Sequence, residues 1–154
     1  MILESDAFAR RRGKHHAMQI AGYGSACDAH HLTAPHPQGR GLNAAIAAAL
    51  RQAEIEPSQI AFVNAHGTAT QDNDLVEGQT LARIFPSATP MLSTKGYTGH
   101  TLGAAGGLEA VFTLLGLREG WIPASAGFVN RSADIPIAPV TQQTRIVGDY
   151  ALST

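Results

Sequence analysis

Residues 60–70 read Ile-Ala-Phe-Val-Asn-Ala-His-Gly-Thr-Ala-Thr, and the reading of this stretch decides the fold. Ile60 to Val63 is a short apolar run, the pattern of a buried strand. It passes directly into polar and glycine residues, then into Leu75, Leu81, Ala82 and Phe85, which mark a helix. Strands that alternate with helices in this way make an α/β fold whose helices cover the sheet.

The same unit recurs downstream. Met91 to Thr94 reads as a strand end, Lys95 to His100 as a connection, and about Leu102 to Arg118 as a helix. That helix is apolar nearly all round apart from Glu109, so burial on most sides is expected. Gly103, Ala104, Ala105, Gly106 and Gly107 in its first turns leave room for another backbone, at a cost in helix propensity. Arg145 to Leu152 reads as a last strand. Upstream, Leu42, Ile46, Leu50 and Ala53 recur at helical spacing, and Pro57 marks the break after them. Ser25 to Gly41, rich in His, Pro and Gly, is expected to form a long ordered loop, and His15 to Gly24 a strand.

The 154 residues suffice for one domain, and 44% hydrophobic with 15% charged residues fits a globular chain with a sizeable core. A net charge of −1 gives no electrostatic footprint for nucleic acid or for an anionic membrane. The basic cluster Arg10, Arg11, Arg12 and Lys14 reads as a solvated helix end or turn. Cys27 is the single cysteine, which excludes an internal disulfide and a multi-thiolate metal site and points to a cytoplasmic setting. The most apolar stretch, Leu102 to Leu117, contains Glu109 and falls short of the about 20 residues of a membrane span. The pairs His15-His16 and His30-His31, with His36, lack thiolate or carboxylate partners for zinc and read as surface or loop histidines.

Four residues carry candidate chemistry. His66 follows the buried strand, and ligands gather at the carboxyl ends of strands in α/β sheets. A neutral histidine there can donate a hydrogen bond or trade a proton near neutral pH. His100 lies between a strand end and a helix start, where the partial positive field disfavours imidazolium. Taken singly, each also reads as a structural histidine. Glu109, the only charge inside its helix, needs a partner, and Lys95 is the nearest candidate in sequence. Asp74 and Glu77 have the spacing of a capping box at a helix start.

In combination these residues are specific. Asn64-Ala-His66-Gly-Thr68-Ala-Thr70, Asn73-Asp74, Glu77, Ser93-Thr-Lys95-Gly-Tyr-Thr-Gly-His100-Thr-Leu-Gly-Ala-Ala-Gly106 and Glu109 together resemble the C-terminal half of β-ketoacyl-acyl-carrier-protein synthases. The likeness is to the elongating enzymes of type II fatty acid and polyketide assembly. Gly22 to Pro35 and Ile122-Pro123 extend it, so that it covers residues 1–154 as one C-terminal synthase domain. The resemblance implies a thiolase-like fold, in which two related α/β halves pack with buried helices between their sheets.

It also implies roles. His66 and His100 would hydrogen-bond a malonyl thioester and stabilise its enolate, with Lys95 as the active-site lysine and Glu109 as its buried partner. Asp74 and Glu77 would support the site, and Thr68 and Thr70 would contact the phosphopantetheine arm of acyl-carrier protein. No tightly bound cofactor and no metal are implied. The family's nucleophilic cysteine lies in an N-terminal half and its gating loop beyond the last strand; neither is within these residues, and Cys27 matches a loop instead. The expectation is therefore a catalytic half inactive alone in condensation, completed by an N-terminal ketosynthase half or a related subunit in an oligomer. The alternative is a non-catalytic, chain-length-factor-like scaffold.

Overall fold

A computed structural model describes residues 2–14 and 18–154. Helix α1 spans Asp6–Arg11 and α2 spans Arg40–Ala53. Strand β1, Ile60–Asn64, is followed by α3, Gln71–Ile84, and by β2, Met91–Leu92. The short α4, Lys95–Thr98, and a 3-10 turn at Leu102–Ala104 lead into α5, Ala105–Glu119. Three strands close the order: β3 at Trp121–Ile122, β4 at Thr144–Arg145 and β5 at Tyr150–Ser153.

β1 is the centre of a three-stranded parallel sheet in the order β2-β1-β5. β3 and β4 form a separate antiparallel pair. The expected last strand is thus two strands with different partners, split around Val147 to Asp149. The α/β class holds, with α2 and α3 on one face of the sheet and α5 on the other. One core joins Ile46 and Leu50 of α2, Ile60 and Val63 of β1, Leu81 of α3 and Phe85 just beyond its end. The second joins Phe62 of β1 to Leu92, Ile122 and Ile146. The pairing of β1 with β5 shifts register between Ile60 and Phe62, which lets Ile60 share a side with Val63.

Two expectations need correction. Met18 to Gly24, the described part of the expected first strand, has no ladder partner; His15, His16 and Ala17 lie outside the described residues. The segment lies instead along α2, where the Tyr23 N–H donates to Gln52 Oε1 at 2.9 Å. A Cβ on Gly22 would stand 2.1 Å from the Ala49 carbonyl oxygen, and one on Gly24 1.9 Å from that of Ala45. The glycines therefore serve close contact with a helix, not strand pairing.

The second correction concerns α5. Its buried stripe is Ala105, Glu109, Thr113 and Gly116, all small or polar. Leu108, Val111, Phe112 and Leu114 look outward, each 38–39% exposed. Near-uniform apolarity suggested burial on most sides, yet within this chain the small and polar stripe is the side fully buried, with Leu117 partly buried beside it. Gly103, Gly106 and Gly107 would each hold a Cβ with nothing within 4 Å, so the close approach they permit is not used by these residues.

Candidate active site

The carboxyl ends of the three parallel strands deliver the candidate residues to one edge of the sheet. β1 ends two residues before His66, β2 ends three before Lys95, and β5 ends beside Thr154. Gly67 takes φ +45, and a Cβ there would stand 2.6 Å from the Ser93 Cβ. Only glycine lets the chain turn in this way after His66 while lying against the second strand end.

Lys95 is 8% exposed and Glu109 is 4% exposed. The Lys95 ammonium donates to Glu109 Oε1, which satisfies the lone charge of α5. The same Nζ lies 3.2 Å from His66 Nδ1. An ammonium has only hydrogens to offer, so Nδ1 accepts and the neutral ring carries its proton on Nε2. Burial and the adjacent Lys95 hold the His66 pKa below its usual 6.5 against the opposing pull of Glu77 and Glu109.

His100 meets His66 edge to face, with ring centroids 5.6 Å apart at 89°. The Leu102 N–H donates to His100 Nδ1 at 3.3 Å. This ring too, when neutral, carries its proton on Nε2. Each histidine therefore has Nδ1 engaged as an acceptor and Nε2–H left to donate. His100 itself is exposed and precedes the 3-10 turn instead of capping α5 directly.

The capping box does not form. α3 begins at Gln71 behind Thr70, so Asp74 already lies within its first turn, hydrogen-bonded by Asn73 Nδ2 at 3.2 Å. Glu77 points back across the site. Its two oxygens accept from the backbone N–H groups of His66 and Gly67, both at 2.8 Å. They also accept from Thr154 Oγ1 at 2.8 Å and Asn73 Nδ2 at 3.3 Å. Thr68 and Thr70 join hydroxyls at 3.0 Å on the outer side of the same loop.

Sequence reasoning missed Asn64. This residue is 1% exposed and contacts α5 through Thr113 and the Glu109 carbonyl. The available signal was a polar residue ending an apolar strand, opposite a helix whose Glu109 and Thr113, four apart, share a face.

A cavity of about 180 Å³ adjoins His66, lined by Asp28, Pro35, Leu42, Val76, Glu77 and Thr154 among others. Asp28 anchors the long loop by accepting from the backbone N–H groups of His36 at 2.8 Å and Gly41 at 2.6 Å. These bonds lower its pKa. Cys27 is exposed on that loop. Among the described residues no group of three or more His, Cys, Asp or Glu side chains is placed to hold a metal ion. Nor is any helix among them long and apolar enough to cross a membrane.

The architecture matches that of thiolase-like ketosynthases. A crystal structure of a β-ketoacyl synthase from Burkholderia phymatum superposes with a TM-score of 0.87 at 33% identity, over 97% of this chain and 37% of that one. A ketosynthase in complex with its chain length factor from Xenorhabdus doucetiae gives 0.76 at 43% identity, over 84% and 33%. The sequence profile described as "Beta-ketoacyl synthase, C-terminal domain" matches residues 17–129, and the chain belongs to this family. It is 37% identical over 157 residues to the 3-oxoacyl-[acyl-carrier-protein] synthase 2 of Synechocystis sp.. The alignment covers 99% of this chain and 38% of that protein, so the chain spans about two-fifths of such relatives.

Proposed function

We propose that this chain supplies the C-terminal part of a decarboxylating condensing site, acting on malonyl and acyl groups carried by the phosphopantetheine arm of acyl-carrier protein. The observation that carries the reading is the array His66–Lys95–Glu109 with His100 set against His66. Two Nε2–H donors, one from each ring, suit one oxygen that gains charge. As the bond from the malonyl carboxylate to its neighbouring carbon breaks, CO₂ leaves and the electron pair moves into the thioester, whose oxygen becomes an enolate. The two donors stabilise that oxygen in place. The enolate carbon then attacks an acyl thioester, and the thiolate that held the acyl group departs.

Lys95 keeps the first ring neutral and its Nδ1 engaged, and Glu109 balances the lysine charge. Thr68 and Thr70 lie on the outer side of the His66 loop, where the arm would pass. Asp74 and Glu77 act on the loop and not on the reacting atoms. The acyl-bearing thiol comes from outside these residues, because Cys27 sits exposed on a loop and no other cysteine is present. The outward apolar side of α5 supports cover by a complementary ketosynthase half. A scaffold of chain-length-factor type is the competing reading, and it would have no use for a buried ion pair aimed at a histidine.

The test supplies acyl- and malonyl-carrier protein to the purified chain, with and without an N-terminal ketosynthase half. β-Ketoacyl product should form only with that half present, and His66→Ala or His100→Ala should lower kcat for decarboxylation about 10²–10³-fold. Product from the chain alone, abolished by Cys27→Ser, would overturn the placement of the nucleophile. Stable binding without turnover would establish the scaffold instead.

A further inference from the structure

Beneath the Lys95–Glu109 pair lies a neutral amide that touches both elements carrying it. The Asn64 Nδ2 lies 3.2 Å from Thr113 Oγ1 and 3.3 Å from the Glu109 carbonyl oxygen. Its Oδ1 accepts from Thr94 Oγ1 at 3.5 Å. Thr94 immediately precedes Lys95, and it is 4% exposed. One side chain at the end of β1 thus reaches the residue before the lysine and the residue that bears the carboxylate.

The need for such a tie follows from the packing. The sheet-facing stripe of α5 is small or polar, and its apolar contacts lie near its C-terminal end, where Gly116 lies close to Phe62 and Leu117 packs against the second core. Apolar contact is non-directional and does not set how far a helix slides or turns. A slip of one residue moves an α-helix about 1.5 Å along its axis and turns it about 100°, which would carry Glu109 away from Lys95. Hydrogen bonds are directional and resist that slip. A carboxamide also adds no charge. The charged and titratable groups facing His66 are Lys95 from α4, Glu77 from α3, Glu109 from α5 and His100 from the loop beyond α4.

Resting on the catalytic reading above, we infer that Asn64 is a positioning residue. Its amide fixes α5 and the Thr94 connection against β1, and so holds Glu109 under Lys95 and Lys95 against His66 Nδ1. Thr113 is its partner on the helix, and a hydroxyl at that position is required.

The test follows the His66 ring by NMR of the full chain with ¹⁵N-labelled histidine. In the wild type the ring should be the Nε2–H tautomer and titrate below 6.5. Asn64→Ala should mix the tautomers and move the midpoint up towards 6.5. Thr113→Val, which keeps the shape and removes the hydroxyl, should move it in the same direction by less, and Thr113→Ser should behave as wild type. If Asn64→Ala does not fold by circular dichroism, the two Thr113 variants decide. With the complementary half supplied, Thr113→Val should lower kcat for decarboxylation up to about tenfold, with KM held within about twofold. Folded Asn64→Ala or Thr113→Val protein with an unchanged His66 tautomer and midpoint overturns the inference. The expected NMR response without any reaction would sink the condensing reading and leave the positioning role standing.

Discussion

Glu77 holds His66 by its backbone and not by its ring. The carboxylate reaches back 11 residues to the His66 N–H, takes the Gly67 N–H on its other oxygen, and meets the Thr154 hydroxyl at the end of the adjacent strand. It is 5% exposed, and hydrogen-bond donors rather than a cation satisfy it in these contacts. Glu77→Gln replaces one acceptor with an N–H that faces donors. It should cost about 1.5–3 kcal/mol of folding stability, read from urea midpoints. An unchanged midpoint would show that the backbone turn holds without the clamp.

The Lys95–Glu109 pair separates stability from chemistry. Lys95→Met leaves Glu109 buried and unpaired and should destabilise by about 3–5 kcal/mol. The double variant Lys95→Met/Glu109→Leu removes both charges and should recover most of that loss. It should not recover decarboxylation in the reconstituted enzyme, because Nδ1 of His66 then has no cationic donor. Recovery of both stability and rate in the double variant would show that the lysine does nothing for the ring.

The His66 pKa gives a signed pH dependence. Its folded value lies below the unfolded one, so from about pH 6.5 downward the unfolded chain takes up a proton that the folded chain refuses. This contribution to stability is complete above about pH 6.5, is lost as pH falls, and levels off once the folded ring titrates. Denaturation at pH 7.5, 6.5 and 5.5 should show His66→Gln losing less stability on acidification than the wild type. Parallel losses in the two proteins would place the His66 pKa at its ordinary value.

Gly24→Ala tests the contact of the first segment with α2. The added methyl would meet the Ala45 carbonyl oxygen at 1.9 Å, so backbone must move. A cost of about 1–3 kcal/mol is expected. Gly13→Ala has no atom within 4 Å but sits at φ +69, so it reports backbone strain alone and serves as the comparison. Equal effects of the two substitutions would argue against close packing on the helix.

Much of the site was legible because its residues follow local rules. A strand running into Asn64-Ala-His66 and a second running into Ser93-Thr-Lys95 place their side chains at one edge by topology alone. A lone carboxylate in an apolar helix demands a cation, and Lys95 meets Glu109 as expected. Glu77 was misread because Asp-x-x-Glu spacing says nothing of where a helix starts. With Gln71 as the first helical residue, the carboxylate is turned to the strand ends instead of its own helix terminus. Composition marked α5 as an apolar helix but did not say which side faces its own sheet: the small and polar stripe does, and Leu108, Val111, Phe112 and Leu114 look outward. The first segment was misread because glycines at alternate positions fit both a strand and an extended chain pressed on a helix.

The pairing of β1 with β5 has a kinetic consequence. The His66-to-Lys95 and Lys95-to-Glu109 contacts span 29 and 14 residues, whereas the Thr154 hydroxyl meets the His66 N–H across 88. Chain entropy makes the longer closure slower. During synthesis from the N-terminus, the histidine, lysine and glutamate all emerge before β5 exists to pair with β1. The ion pair can therefore form while one side of β1 is still unpaired, and that side is open to other strands until Tyr150–Ser153 pairs with it.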